Sequence, residues 1–344
     1  MQERQAFANW ITAMPKAELH VHIDGTLTAS RLLDRAAKHG VDLPYGSVED
    51  VTKAYDFDNL QSFLDLYYLG TGVIRDEEDF YLLMLDYLTT CREQHITHTE
   101  IMVEPQSYLP KGVSLATMMS GFKQAVDEAQ AGWGQSVLLI LSLLRHLPEE
   151  DGIDVLELAH SSFPGSFVAI GLASSEVGHP PVGFTELYAR ARSLGYRTTA
   201  HAGEEGPASF VADSLDLLGV ERIDHGIRSA EDPALMVRLA REQIPLTVCP
   251  LSNVKLKVFE RLEDHNLLEA LDAGVKVTVN SDDPTYFGGF LNENFIALHE
   301  HLLLDGKRAA RLTRNAFEAS FLPAKAKADK LAELDRYLTD HPSP

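Results

Sequence analysis

The sequence predicts an α/β fold, a (β/α)8 TIM-type barrel with a helical insert after its first strand, spanning residues 1–344 as a single domain. Three observations lead to it. Eight short strand-like segments recur along the chain, most of them rich in Val, Ile, Leu or Thr, and each is followed by helical material. No linker or domain-sized break interrupts the alternation, and 344 residues is a length that one barrel can occupy. No Gly-x-Gly-x-x-Gly follows an early strand, which weighs against an open sheet built for a dinucleotide.

The first strand is Glu18–His22. Side chains two apart on a strand share a face, so His20 and His22 aim at one point. A long insert, Leu27–His98, separates it from the second strand, Thr99–Glu104. Within the insert, Phe57–Tyr68 has apolar residues at helical spacing, and two readings stay open. It is either a core-facing helix or an aromatic lid, since insertions after barrel strands lie over the active face. Glu78–Glu93 and Leu115–Ala131 read as amphipathic helices on either side of the second strand. The third strand, Val137–Leu144, is a clear apolar run, but far too short to span a bilayer. Phe167–Leu172, Arg197–His201, Arg222–His225, Pro245–Cys249 and Lys276–Asn280 follow as strands four to eight. Helical stretches Phe184–Leu194, Phe210–Leu218 and Pro233–Glu242 lie between them, and Lys325–Leu338 forms a charged amphipathic helix before a fraying tail.

Composition narrows the functional classes. The chain is 45% hydrophobic and 24% charged, as an ordinary globular protein is. Its formal net charge of −21 repels phosphate backbones, so nucleic acid is not an expected partner. Cys91 and Cys249 are the only two cysteines, which leaves no disulfide framework and no cysteine-based zinc site. The first 30 residues lack an apolar signal core. A cytoplasmic chain with reduced thiols, no membrane contact and small-molecule partners is expected.

Chemistry-bearing residues gather at the C-terminal ends of the strands, the active face of this fold. Strand one ends in His20 and His22, strand five in His201-Ala202-Gly203-Glu204, strand six in Asp224-His225-Gly226, and strand eight in Ser281-Asp282-Asp283-Pro284. Taken singly, each has a plain structural explanation: strand histidines, a satisfied interior histidine, a turn before proline. Burying all of them without partners would cost several kcal/mol each. His20, His22, His201 and Asp282 therefore read as the ligands of one Zn²⁺ with a position left for water. Glu204, three residues past His201, is the proton shuttle. His225 hydrogen-bonds the attacking oxygen. Asp224 alternates with His225 and is expected to face outward toward a helix.

Placed in this order, Pro15–Leu27, His201-Ala202-Gly203-Glu204, Asp224-His225-Gly226 and Ser281-Asp282-Asp283-Pro284 resemble the adenosine/adenine deaminase family of the amidohydrolase superfamily over nearly the whole chain. The resemblance implies one zinc on the same four residues, with Glu204 donating a proton to purine N1 as C6 is attacked. It also implies that Asp283 bonds purine N7 and that Leu172–Glu176 meets the N3 edge. Gly171–Pro181, Glu204–Pro207 and Pro245–Val254 are similar to the adenine branch, implying adenine as substrate and hypoxanthine and ammonia as products. Ser174 would narrow the wall against a ribose. Asp24, Ala173 and His179 depart from that branch, and Asp24 matches the nucleoside branch, where it meets a ribose hydroxyl. Adenosine or an N6-substituted adenine is the alternative substrate. A non-catalytic purine-binding protein and a binuclear hydrolase are the alternatives of other classes.

Overall fold

The computed structural model describes residues 2–57 and 60–344. Eight parallel strands run β1 (Lys16–His22), β2 (Ile96–Val103), β3 (Ser136–Leu144), β4 (Phe167–Ala173), β5 (Arg197–Ala202), β6 (Arg222–His225), β7 (Pro245–Val248) and β8 (Lys276–Val279), each paired with the next in sequence. Their ends differ from the expected segments by at most three residues. The last strand returns to the first through residues just past its end. Val21 and Asp282 form a parallel bridge, in which His22 N–H donates to the Asp282 carbonyl (2.9 Å) and Asp282 N–H to the His20 carbonyl (3.1 Å). The architecture is a (β/α)8 barrel.

Helix α1 (Gln2–Ala13) precedes the barrel. Past β1 the chain makes a 3₁₀ turn, Ile23–Thr26, and then α2 (Ala29–His39), α3 (Val48–Lys53), α4 (Leu60–Gly70) and α5 (Glu77–Glu93) before reaching β2. Asp58 and Asn59 of the expected lid segment lie outside the described residues. Reciprocal bonds start α5: the Asp79 amide donates to the Asp76 carboxylate (3.2 Å) and the Asp76 amide to the Asp79 carboxylate (3.1 Å). Such a capping box satisfies amides that the helix cannot. Helix α6 (Leu115–Trp133) packs closely on α5, and only glycine fits at Gly121, where a Cβ would sit 2.4 Å from the Glu77 carbonyl. Expected as one helix, Phe210–Leu218 instead divides between an α-helix, Ala208–Asp213, and a π-helical turn, Ser214–Leu218. No helix among the described residues is long and apolar enough to cross a membrane.

The barrel interior is stratified. Met102, Ile140, Ala169 and Phe321 form an apolar plug. Above Phe321 lies a fully buried ion pair, in which Arg222 Nη1 donates to Glu100 Oε2 at 2.6 Å. The Arg222 guanidinium stacks 4.3 Å from the Phe321 ring centre, and its Nη2 donates to the Leu19 carbonyl at 3.2 Å. Burial pushes the Glu100 carboxyl up, but Arg222 and His98 outweigh it and hold it below its ordinary value.

Arg222→Met is expected to destabilise the fold by about 3–5 kcal/mol, because it strands the Glu100 charge in the interior. The check is the urea midpoint. In the wild type, the stability that Glu100 contributes is complete above the unfolded-chain pKa of roughly 4.3 and lost as the pH falls through its lower folded value. The wild-type midpoint should therefore drop below about pH 4.

Candidate active site

The strand ends converge on one point. His20 and His22 leave β1 on the same face, His201 comes from β5, and Asp282 follows β8. Nε2 of His20 and Nε2 of His22 each lie 3.2 Å from Nε2 of His201. They lie 3.3 and 3.4 Å from Asp282 Oδ1. Donor atoms spaced 3.2–3.4 Å apart can share an ion about 2.0 Å from each, the zinc–imidazole bond length.

The opposite nitrogen of each ring faces an acceptor. His22 Nδ1 is 2.5 Å from Glu104 Oε1, His20 Nδ1 is 3.2 Å from the Thr247 carbonyl, and His201 Nδ1 approaches Asp224 Oδ2 at 3.5 Å. These partners set Nδ1 as the protonated nitrogen and turn an Nε2 lone pair inward on each ring. Three lone pairs and a carboxylate around one point repel one another unless a cation lies between them. The residues therefore fit a metal ion. The four ligand atoms lie within 4.8 Å of one another and all four residues are buried. Ser252 Oγ orients the carboxylate by donating to Asp282 Oδ2 at 2.7 Å.

Asp224 corrects one expectation. It does not face a helix: its Oδ1 accepts from Thr247 Oγ1 at 2.9 Å inside the barrel, and its other oxygen supports His201. Strict alternation fails because His225 has φ +64°, so the strand breaks there and His225 also turns inward. Ser174 (φ +78°) and Asp282 (φ +64°) are left-handed in the same way. Non-glycine residues with that conformation cost about 1–3 kcal/mol each and concentrate at functional sites.

A pocket of about 440 Å³, counted with its open mouth, lies over the cluster. His22, His201, Glu204, His225, Asp282, Asp283 and Ser174 line it, while His20 lies beneath with no exposure. Glu204 Oε2 is 3.5 Å from His225 Nε2, and Oε1 has no partner among the described residues. Burial, then the Asp282, Glu176 and Glu205 carboxylates, push Glu204 well above the ordinary carboxylate range. Asp283 Oδ1 is likewise buried and unpartnered among the described residues, and burial drives its carboxyl up too. It stands close against Gly25, where a Cβ would meet Asp283 Oδ1 at 2.1 Å. Asp282 moves the other way: burial opposes ionisation, but His20, His22 and His225 outweigh it and hold the carboxyl well below its ordinary value.

Two expected substrate contacts change. Asp24, which the resemblance sets against a ribose hydroxyl, is not in the lining and lies in the 3₁₀ turn that begins at Ile23. Tyr108 donates its hydroxyl to Asp24 Oδ1, and the hydroxyl of Tyr67, which does line the cavity, lies 3.4 Å from Oδ2. Burial and the neighbouring Glu104 carboxylate push Asp24 up to about 7. In Leu172–Glu176, Ala173 and Ser174 reach the cavity. Glu176 instead accepts the amides of Gly203, Glu204 and Glu205 at 3.0, 2.8 and 3.2 Å, bracing the loop that carries Glu204.

The two readings of the aromatic segment merge, for the buried face of α4 supplies Phe63, Leu64, Tyr67 and Tyr68 to the cavity wall. Sequence reasoning missed Glu104, which links Tyr67 (2.7 Å) to His22. A signal was present: Glu104 ends the expected second strand, as His22 ends the first.

A family model described as adenosine deaminase matches residues 15–337. The adenine deaminase of Hahella chejuensis is 50% identical over 333 residues, covering 97% of this chain and 99% of that protein. The crystal structure of adenine deaminase from Arthrobacter aurescens superposes with a TM-score of 0.93 at 43% identity, over 95% of this chain and 100% of that one. An amidohydrolase from Burkholderia ambifaria, solved with bound zinc, shares the fold at TM-score 0.88 and 22% identity, over 97% of this chain and 94% of that one.

Glu104→Ala is expected to weaken affinity for a divalent transition metal by about 10–100-fold, since His22 loses the group that sets its tautomer and angle. Chelator competition on protein with unchanged circular dichroism measures it; unaltered affinity would show that His22 needs no such partner.

Proposed function

The chain belongs to the adenosine deaminase family, and from that premise we propose that it is a zinc-dependent adenine deaminase of purine salvage. It converts adenine and water to hypoxanthine and ammonia, with one zinc ion per chain, in the cytoplasm. The observation that carries this reading is a buried three-histidine, one-aspartate cluster beside a high-pKa glutamate in a single small cavity. Half-identity to adenine deaminases over nearly the full length supports the choice of substrate.

Zinc would be held by Nε2 of His20, His22 and His201 and by Asp282 Oδ1, and when bound it supplies Lewis-acid chemistry that lowers the pKa of water to about 7. The remaining chemistry belongs to the chain's own groups. Glu204, held protonated by its surroundings, gives its proton to purine N1 and makes C6 electrophilic. Purine N7 is an acceptor, so Asp283 can bond it only while carrying a proton, a state that burial favours. His225, pushed by burial well below its ordinary pKa and therefore neutral, stabilises charge on the oxygen that attacks C6. As a carboxylate, Glu204 then takes the protons of the water oxygen that adds to C6, passes one to the departing amine and keeps the other, which restores its acid form. C–O bond formation and C6–N6 cleavage balance as adenine plus water giving hypoxanthine plus ammonia. Ser174 and Tyr67 form walls of the purine pocket, whereas Asp24 acts from behind Tyr67, through its hydrogen bonds.

Glu204→Gln should retain metal and fold while losing about 10²–10⁴-fold in kcat, as the removal of a general acid–base does; near-normal turnover would refute its role. Asp282→Ala should lower metal content and rate together, read by elemental analysis. In a panel of adenine, adenosine and N6-methyladenine, adenine should have the highest kcat/KM, and faster turnover of adenosine would overturn the substrate assignment.

A further inference from the structure

Behind His225 runs a chain of hydrogen bonds with a definite direction. It starts at a group whose role admits no ambiguity: the backbone amide of Leu267 can only donate, and it does so to His265 Nδ1 at 3.1 Å. His265 is buried, and burial alone lowers its pKa to about 3, so the ring is neutral and carries its single proton on Nε2. That Nε2–H donates to Asn253 Oδ1 at 3.2 Å. With its oxygen so used, the fully buried Asn253 side chain turns its Nδ2 toward His225 Nδ1, 3.4 Å away, and donates there. His225 Nδ1 is thereby an acceptor, and its proton resides on Nε2.

Nε2 is the nitrogen that faces the reaction. It lies 3.5 Å from Glu204 Oε2 and 3.8 Å from Asp282 Oδ2. The opposite tautomer would point a lone pair at the Asp282 carboxylate. The left-handed backbone of His225 turns the ring into the cavity but does not choose between its nitrogens. The Phe259 ring packs against His265 with ring centres 4.4 Å apart, and among the described residues His265 belongs neither to the cavity lining nor to the ligand cluster.

We propose that Asn253 and His265 are positioning residues that fix His225 as the Nε2–H tautomer, making it a hydrogen-bond donor to the attacking oxygen. The effect on turnover rests on the deaminase reading, but the tautomer does not. Asn253→Asp reverses the polarity of the relay, because a carboxylate can only accept and draws the His225 proton to Nδ1. His265→Phe keeps a buried aromatic ring and removes the donor, freeing the Asn253 amide to flip.

The test is ¹⁵N NMR of histidine-labelled, zinc-loaded enzyme, run beside steady-state kinetics. In the wild type, His225 is expected as Nε2–H. In Asn253→Asp it is expected as Nδ1–H or doubly protonated, with kcat lower by about 10²–10⁴-fold, the scale of a wrong-tautomer histidine. KM should stay within about threefold and zinc content unchanged. His265→Phe should fall between the two in kcat. An Nδ1–H signal for His225 in the wild type overturns the proposal, and so does Asn253→Asp with unaltered kcat. Should Asn253→Asp fail to fold, the wild-type tautomer and the His265→Phe spectrum still decide it. If no aminopurine is turned over, the deaminase reading fails while the spectra still judge the relay.

Discussion

Asp282 is where the barrel closes and where the site is held, and the two tasks cannot be separated. Its backbone exchanges hydrogen bonds with His20 and His22, zipping the end of β8 to β1. Its left-handed conformation then turns the carboxylate toward the two histidines to which its backbone is bonded. The ligand spacing is therefore set by strand pairing, a rigid constraint, and not by the packing of loops. An active site built on strand ends inherits the precision of the sheet.

Around that seam the interior is crowded with acids. Glu104, Asp282, Asp283, Glu204 and Asp24 are all buried at one end of the barrel. Their charges cannot all persist in a poorly solvated space. The structure sorts them by partner. Glu104 and Asp282, facing histidines, are held as anions, whereas Glu204, Asp283 and Asp24 are pushed toward their protonated forms. That division leaves two anions facing the histidines and three groups whose surroundings favour a bound proton.

The fold was legible because parallel barrel strands are short apolar runs whose ends carry chemistry, and the eight segments were all found. The ligand cluster followed from the same regularity, since two-residue periodicity alone aligns His20 with His22. Errors arose where the periodicity stops. Strict alternation sends Asp224 outward, although His225 has left the extended region, and Asp24, which the resemblance sets against a ribose hydroxyl, lies in a 3₁₀ turn outside the lining. Neither break has a sequence marker as plain as a proline. Glu104 was overlooked for another reason: a single carboxylate at a strand end gains meaning only when His22 and Tyr67 are seen on either side of it.

By itself the sequence determined the barrel, the strand ends on which the reactive side chains sit, and the set of residues with chemistry to perform, because local periodicity and residue type are written along the chain. Only the tertiary structure decided which nitrogen of each histidine faces the centre, which acids keep their protons, and that Asp24 serves Tyr67 and Tyr108 from outside the cavity wall. Those outcomes depend on partners far away in sequence, such as Glu104 for His22 and Asn253 for His225. No local pattern can report them, because tautomer and protonation are set by what a group meets after folding.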